Sequence, residues 1–226
     1  PHPRVLEMIR NGEISKPYYL ENLQELRARG INTPAVLPDG TKPAGPPRNV
    51  EVNYNAIVIL VDFSDNTSQV TAGFFDNLLY GTGSGTVRNY YDEVSYGNLT
   101  VVTLNMPSSL GWQRAPQTYS YYVNNNNGFG SYPRNAQKLA EDAIALANPL
   151  VDFSQYDNDG DGYVDALFII HAGPGAEYTG SNNDIWSHKW ATRTPQLVDG
   201  VYAYIYSMEP EYWQTPGDMT CGVYAH

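Results

Sequence analysis

Residues 56–61 read Ala-Ile-Val-Ile-Leu-Val, an unbroken apolar run inside the segment NAIVILVDF. Successive side chains of a β-strand point to opposite faces, so a run without polar alternation needs cover on both. The chain must therefore place this strand inside a sheet, with further elements packed above and below it. Its 226 residues, 42% of them hydrophobic, suffice for one sizeable core or one core with a small satellite, and one main domain is expected.

The flanking segments supply both kinds of element. TAGFFDNLLYG and GTVRNYYDEVSYGN have helical spacing, the second ending near Gly97, and LTVVTLNM reads as a strand. The clearest helix lies in YPRNAQKLAEDAIALANP, where Ala136, Leu139, Ala140, Ala143, Ile144 and Ala147 share one face and Pro149 closes the segment. YVDALFIIHAG, DIWSHKW and VYAYIYSM are three further strand candidates. Strands interleaved with helices around a mixed sheet give an α/β or α+β domain. Ahead of it, residues 3–30 read as a rather isolated helical segment. Tyr19, Leu20, Leu23 and Leu26 stand at steps of three and four, with Gly30 as the C-terminal cap. Residues 33–49 hold five prolines and two glycines, which suit neither a helix nor a central strand, so they read as an exposed linker. The expected division is a helical segment over 1–32, a linker over 33–49 and the main domain over 50–226.

Lys and Arg number 13 against 24 Asp and Glu, a formal charge of -11. Nucleic acids and anionic membrane surfaces attract basic patches, so neither is an expected partner. No run of 18 apolar residues is present, so no membrane-spanning helix is expected. Abundant Tyr, Asn and Gly with few Lys suit a secreted bacterial protein. The single cysteine, Cys221, forbids an internal disulfide, so the core or a bound metal must hold the fold.

A metal loop is written in YDNDGDGYVD. Asp157, Asp159, Asp161 and Asp165 stand at offsets 1, 3, 5 and 9, with Gly162 at offset 6, where a sharp turn is needed. Oxygens at alternating positions, together with the Tyr163 carbonyl at offset 7, suit the coordination that Ca²⁺ prefers. Phe168 replaces the bidentate Glu expected at offset 12, and the loop runs into a strand. It is therefore a shorter relative of the EF-hand, with an expected stapling role. A solvated Asp/Gly turn without metal is the competing reading.

PGDMTCGVYAH places Asp218 as N-cap of a helical stretch reaching His226. A lone histidine there is usually structural. GVYAH, however, resembles the run preceding Glu in the G-V-x-A-H-E-x-G-H active-site helix of the immune-inhibitor-A-type peptidases, secreted bacterial zinc metalloproteases. YDNDGDGYVDALFIIHAGPGAE, IWSHKW and NYYDEVSYGNLTV resemble further segments of that family, and ELRARGINTP resembles the end of its propeptide. The similarity covers essentially the whole chain. It implies a zincin-like α+β fold, a mixed, mostly parallel twisted sheet with packed helices, preceded by a short propeptide-like helical segment. It further implies protein or peptide substrates and His226 as the first Zn²⁺ ligand of an H-E-x-x-H motif, in which two histidines one turn apart grip the metal and the Glu is general base. Positions 227 and 230 would carry the rest. On that reading residues 50–226 are the N-terminal part of the catalytic domain, and a chain supplying one ligand of three is expected to be inactive by itself.

Several residues remain open. Alternation in IWSHKW puts Trp186, His188 and Trp190 on one face and Ile185, Ser187 and Lys189 on the other. This strand, or residues 201–207, could be the edge along which zincin-type enzymes pair extended substrate. Core packing of both tryptophans and His188 is the preferred reading. His171 reads as a satisfied buried imidazole, Cys221 as a small buried hydrophobe, and Glu177 as either a metal contact or a helix cap. With no cysteine in the N-terminal segment, latency through a cysteine switch is excluded. A calcium-stabilised carbohydrate- or protein-binding module, stacking sugars on exposed Trp112, Trp186, Trp190 and Trp213, is the alternative. A retaining glycosidase ranks last.

Overall fold

The computed structural model describes residues 1–46 and 51–225; residues 47–50 of the expected linker, and His226, lie outside the described residues. The chain begins with helices α1 (Pro3–Arg10), α2 (Tyr18–Glu21) and α3 (Leu23–Ala28). Strands β1 (Val52–Asn55) and β2 (Ile57–Asp62) follow, then helices α4 (Ala72–Tyr80) and α5 (Val87–Val94). Next come β3 (Leu99–Val102), α6 (Pro107–Leu110), β4 (Trp112–Arg114), α7 (Tyr119–Val123) and α8 (Ala136–Ala147). A short 3₁₀ turn (Phe153–Tyr156) leads to β5 (Leu167–Pro174), α9 (Ala176–Thr179), β6 (His188–Val198), β7 (Val201–Tyr212) and α10 (Cys221–Ala225). The main sheet runs β4-β2-β5-β7-β6, parallel except for β6, which lies antiparallel to β7 at the edge. β1 and β3, the latter expected from LTVVTLNM, form a separate parallel pair. The class is α+β with a largely parallel sheet.

The apolar run does what its composition requires. Ile57, Ile59 and Val61 enter one core with Leu167, Ile169 and the small apolar face of α8. Ala56, Val58 and Leu60 enter a second core on the other face, with Phe75, Leu78 and Leu79 of α4 and Val87 of α5. Burying each such aliphatic side chain contributes ~1.5–3 kcal/mol. Helix α8 starts at Asn135, whose side chain accepts from the Lys138 amide at 3.1 Å. Its alanines carry too little side chain to hold the helix away from the sheet.

Several local expectations are corrected. The segment 18–28 is two helices that break at Asn22, whose side-chain amide donates to the Tyr18 carbonyl at 2.9 Å. Nor is the segment isolated: Tyr19, Leu26 and Ile31 are buried in the main core. Residues 33–46 are not wholly exposed, because Leu37 is buried and turns back through its amide to the Thr41 carbonyl at 2.8 Å. Strand β6 begins only at His188, so the alternation read across IWSHKW fails before it, and Ile185 shares the core of Trp186. Asp218 does not cap α10; it accepts from the amides of Trp213, Gln214 and Thr215 at 2.8–2.9 Å, and the helix starts at Cys221.

Candidate functional site

In the acidic loop, carboxylate oxygens of Asp157, Asp159 and Asp165 lie within 4.8 Å of one another. Two oxygens each ~2.4 Å from a shared cation can stand no further apart than about that, so these three fit one hard divalent ion. Asp161 lies outside the trio; its carboxylate accepts from the Tyr163 amide at 2.8 Å, just as those of Asp157, Asp159 and Asp165 accept from loop amides. Gly160 and Gly162 turn the loop with φ of +76° and +88°. Asn158 ties it to β1, accepting from the Asn55 amide at 2.8 Å, and Tyr202 donates to the Gly162 carbonyl at 2.8 Å. Burial raises the Asp165 pKa to about 6, with repulsion from Asp159 adding to it.

A cleft of about 940 Å³ opens beside the edge of the sheet. Val223 and Tyr224 of α10 form one wall, and Trp186, Ser187 and His188 lead into β6 along another. The N-terminal segment, through Tyr19 and Asn32, contributes a third. Of the two segments offered for the edge, β6, which contains His188, is at the edge, while residues 201–207 lie in the interior strand β7; the pairing of the two begins at His188 opposite Met208. Beyond that point β7 carries Glu209 and Glu211 on the face shared with Ser207.

Of the residues singled out from sequence, Trp186 and His188 line the cleft and Trp190 does not. All three are buried. Trp186 stacks on Tyr19 with ring centroids 4.6 Å apart, and Trp190 donates to the Arg29 carbonyl at 3.0 Å. His188 Nδ1 faces the Trp186 carbonyl at 2.7 Å, and its Nε2 is 3.3 Å from the Tyr206 hydroxyl. His171 is fully buried with Nδ1 at 3.0 Å from the Ala172 carbonyl, but its Nε2 has no partner among the described residues, so it is only half satisfied. Cys221 is half-buried, less enclosed than expected. Trp112 donates to the Val70 carbonyl at 2.8 Å and, like Trp213, is half-buried, so no exposed tryptophan platform for sugars exists among the described residues.

Glu177 caps no helix. Buried at the cleft, it accepts from the Ser187 amide at 3.2 Å and from the Ser187 hydroxyl. Glu209 and Glu211 were not anticipated, although SMEPEYW carries them at strand spacing after Ser207. The Ser207 hydroxyl donates to Glu209 Oε1, and Glu209 Oε2 has no partner among the described residues. Glu211 accepts from the amides of Gln69, Val70 and Gly173. Burial raises the pKa of all three carboxyls, that of Glu209 furthest.

A family model described as the catalytic domain of the immune inhibitor A peptidases, M6, matches residues 71–226. Immune inhibitor A of Bacillus thuringiensis subsp. alesti is 28% identical over 242 residues, covering 83% of this chain and 34% of that protein. Pre-pro-metalloprotease PrtV of Vibrio cholerae serotype O1 (strain M66-2) is 26% identical over 170 residues, covering 62% of this chain and 17% of that protein. The chain thus spans about a third or less of the length of these relatives. With the matched region running from the helices over β2 through the acidic loop and the cleft to α10, the chain belongs to the immune inhibitor A peptidase family, M6, a family of metalloproteases.

Proposed function

We propose that this chain forms part of a secreted zinc-dependent endopeptidase and that His226 is a zinc ligand. The observation that carries the reading is the position of α10: it walls the cleft with Val223 and Tyr224 and leads directly to His226, while β6 presents the sheet's edge beside the same cleft. That edge can receive an extended peptide by strand addition once the N-terminal segment, which holds the Lys189 backbone through Asn32, has left it. When bound, zinc supplies the Lewis acid that activates water toward a peptide carbonyl. The residues of this chain hold the metal at His226, align the peptide along β6 and shield it with the aromatic wall of Trp186 and Tyr224.

Two further assignments belong to this reading. Asp157, Asp159 and Asp165 hold a structural Ca²⁺, assisted by the Tyr163 carbonyl, with Asp161 outside the inner set. Residues 1–32 act as a propeptide-like segment and 33–49 as its linker, the main domain following from residue 50. The support is that Tyr19 and Asn32 line the cleft while the segment buries its aromatic face there. The carbohydrate-binding form of the alternative loses its stacking platform with the tryptophans buried or half-buried.

The test is casein or peptide cleavage by the full-length protein. Activity abolished by EDTA, restored by zinc and lost in His226→Ala supports the assignment; cleavage that survives chelation or the substitution overturns it.

A further inference from the structure

Glu209 is 4% exposed and lines the cleft. Its Oε1 is held by the Ser207 hydroxyl, while Oε2 has no partner among the described residues. A buried carboxylate oxygen left bare costs free energy unless a donor reaches it. Glu177 lines the same cleft with both oxygens taken by Ser187, and its charge adds to the strain on Glu209. Two acidic groups in one desolvated pocket are better balanced by a cation than by a neutral donor.

Among the described residues no lysine or arginine side chain provides that cation; the Pro1 ammonium borders the cleft and favours the charged form of Glu177, but makes no ion pair with Glu209. The chain's ion pairs among the described residues are Arg29–Glu25, Arg114–Asp62 and Lys138–Asp142. Arg27 and Lys189 also border the cleft, and neither is within ion-pairing distance of Glu177 or Glu209. Glu209 sits one residue past Met208, where β6 pairing begins, and lines the same cleft as His188 at the start of the edge strand, so a peptide side chain entering the cleft there meets its carboxylate. Trp186 and Tyr224 offer aromatic wall to the aliphatic stem of a long basic side chain.

We propose that Glu209, supported by Glu177, is a specificity-determining acidic subsite that accepts a lysine or arginine side chain of the peptide substrate, the ammonium or guanidinium donating to Glu209 Oε2. This rests on the peptidase reading above, and a net charge of -11 favours the approach of such peptides.

The experiment has two arms. In the first, the full-length protein cleaves a peptide series that differs at one position, Lys, Arg, Gln or Leu, scanned along the sequence. The expected result is one position at which Lys or Arg raises kcat/KM about tenfold over Gln, and a ratio that collapses toward one in Glu209→Gln and falls partway in Glu177→Gln. Reading the ratio removes any general loss of activity or folding in a variant. Equal cleavage of the four peptides, or a preference intact in Glu209→Gln, overturns the subsite. In the second arm, blocked Arg- and Gln-containing peptides are titrated into this 226-residue chain, with quenching of tryptophan fluorescence as the readout. Salt-sensitive binding of the Arg peptide alone, lost in Glu209→Gln, supports the subsite, and equal binding of both peptides, or binding of neither, overturns it. Absence of any peptide cleavage in the first arm would instead defeat the peptidase reading, leaving the binding arm to decide the subsite.

Discussion

Asn32 closes on Lys189 through two hydrogen bonds: its amide donates to the Lys189 carbonyl at 2.9 Å, and its side-chain oxygen accepts from the Lys189 amide at 2.8 Å. Lys189 lies on the edge strand, so the N-terminal segment satisfies the backbone groups that an incoming extended peptide would need. Asn32→Ala removes one of the two bonds, and a loss of about 1 kcal/mol in the segment's attachment is expected. Hydrogen exchange at the Lys189 amide should accelerate while that of Tyr206, on the neighbouring interior strand, stays slow. Unchanged exchange at Lys189 would mean the segment is held by its other contacts.

Those other contacts are aromatic. Tyr19 stacks on Trp186 and packs against Phe129, with ring centroids 4.6 and 5.6 Å apart. Its amide donates to Asn127 at 3.0 Å. Tyr19→Ala should cost about 3–5 kcal/mol, as deletion of a large buried aromatic does, and should open the linker region to limited proteolysis. Thermal unfolding of this variant beside Asn32→Ala separates packing from edge pairing: the aromatic deletion should dominate.

The acidic loop makes a graded prediction for calcium. Adding Ca²⁺ at a hundred times its Kd should stabilise the fold by about 2.7 kcal/mol, and EGTA should reverse it. Asp157→Asn or Asp159→Asn should abolish most of the effect. Asp161→Asn should retain more of it, because Asp161 lies outside the trio whose oxygens stand within 4.8 Å of one another. Calcium titrations followed by calorimetry check the order, and equal effects at all three positions would place Asp161 in the inner set.

How much of this was legible in the residues follows from the range of the interactions. The interior strand, α8 and the acidic loop depend on neighbours two to nine residues apart, and sequence spacing locates all three. The family's motif segments were legible for the same reason. The attachment of residues 18–32 was not, because it depends on Asn127, Asn182 and Lys189, which are far away in sequence. Asn22 splits the apparent helix by turning its side chain onto the backbone, a choice the apolar stripe does not reveal. The β6–β7 hairpin had a usable local signal, Asp199-Gly200, whose φ values of +49° and +86° fit the tight turn that such a pair favours. Glu209 had only strand alternation, which places it on a face but leaves open whether that face is core or cleft.

Glu211 should act as a clasp. Three backbone amides, from Gln69, Val70 and Gly173, converge on its buried carboxylate, joining the loop after β2 to the irregular end of β5. Glu211→Gln keeps the volume but replaces one acceptor oxygen with a donor that faces those amides, so at least one buried N–H loses its partner, at about 1–3 kcal/mol. Denaturant unfolding should show that loss, with faster amide exchange at Gln69 and Val70. Exchange confined to Gly173 would show that the loop is held by Trp112, whose indole donates to the Val70 carbonyl at 2.8 Å.

Acid should act on the fold through its buried histidines. Burial lowers the pKa of both His171 and His188 from the ordinary 6.5 to about 4, so each is neutral in the folded chain at pH 5 while the unfolded chain is largely protonated. Between about 4 and 6.5 the unfolded state binds more protons, and each histidine makes stability fall as pH drops through that window; above 6.5 the effect is absent. The raised carboxyls of Glu177 and Glu209 work in the opposite sense, so the informative quantity is a difference between variants. His171→Gln removes one titrating group at a site where Nε2 is already without a partner among the described residues. Measured by denaturant unfolding from pH 4.5 to 7.5, the stability of the wild type relative to His171→Gln should decline steadily below pH 6.5 and stay level above it. A difference that stays flat across the whole range would show that His171 is not held neutral by the fold.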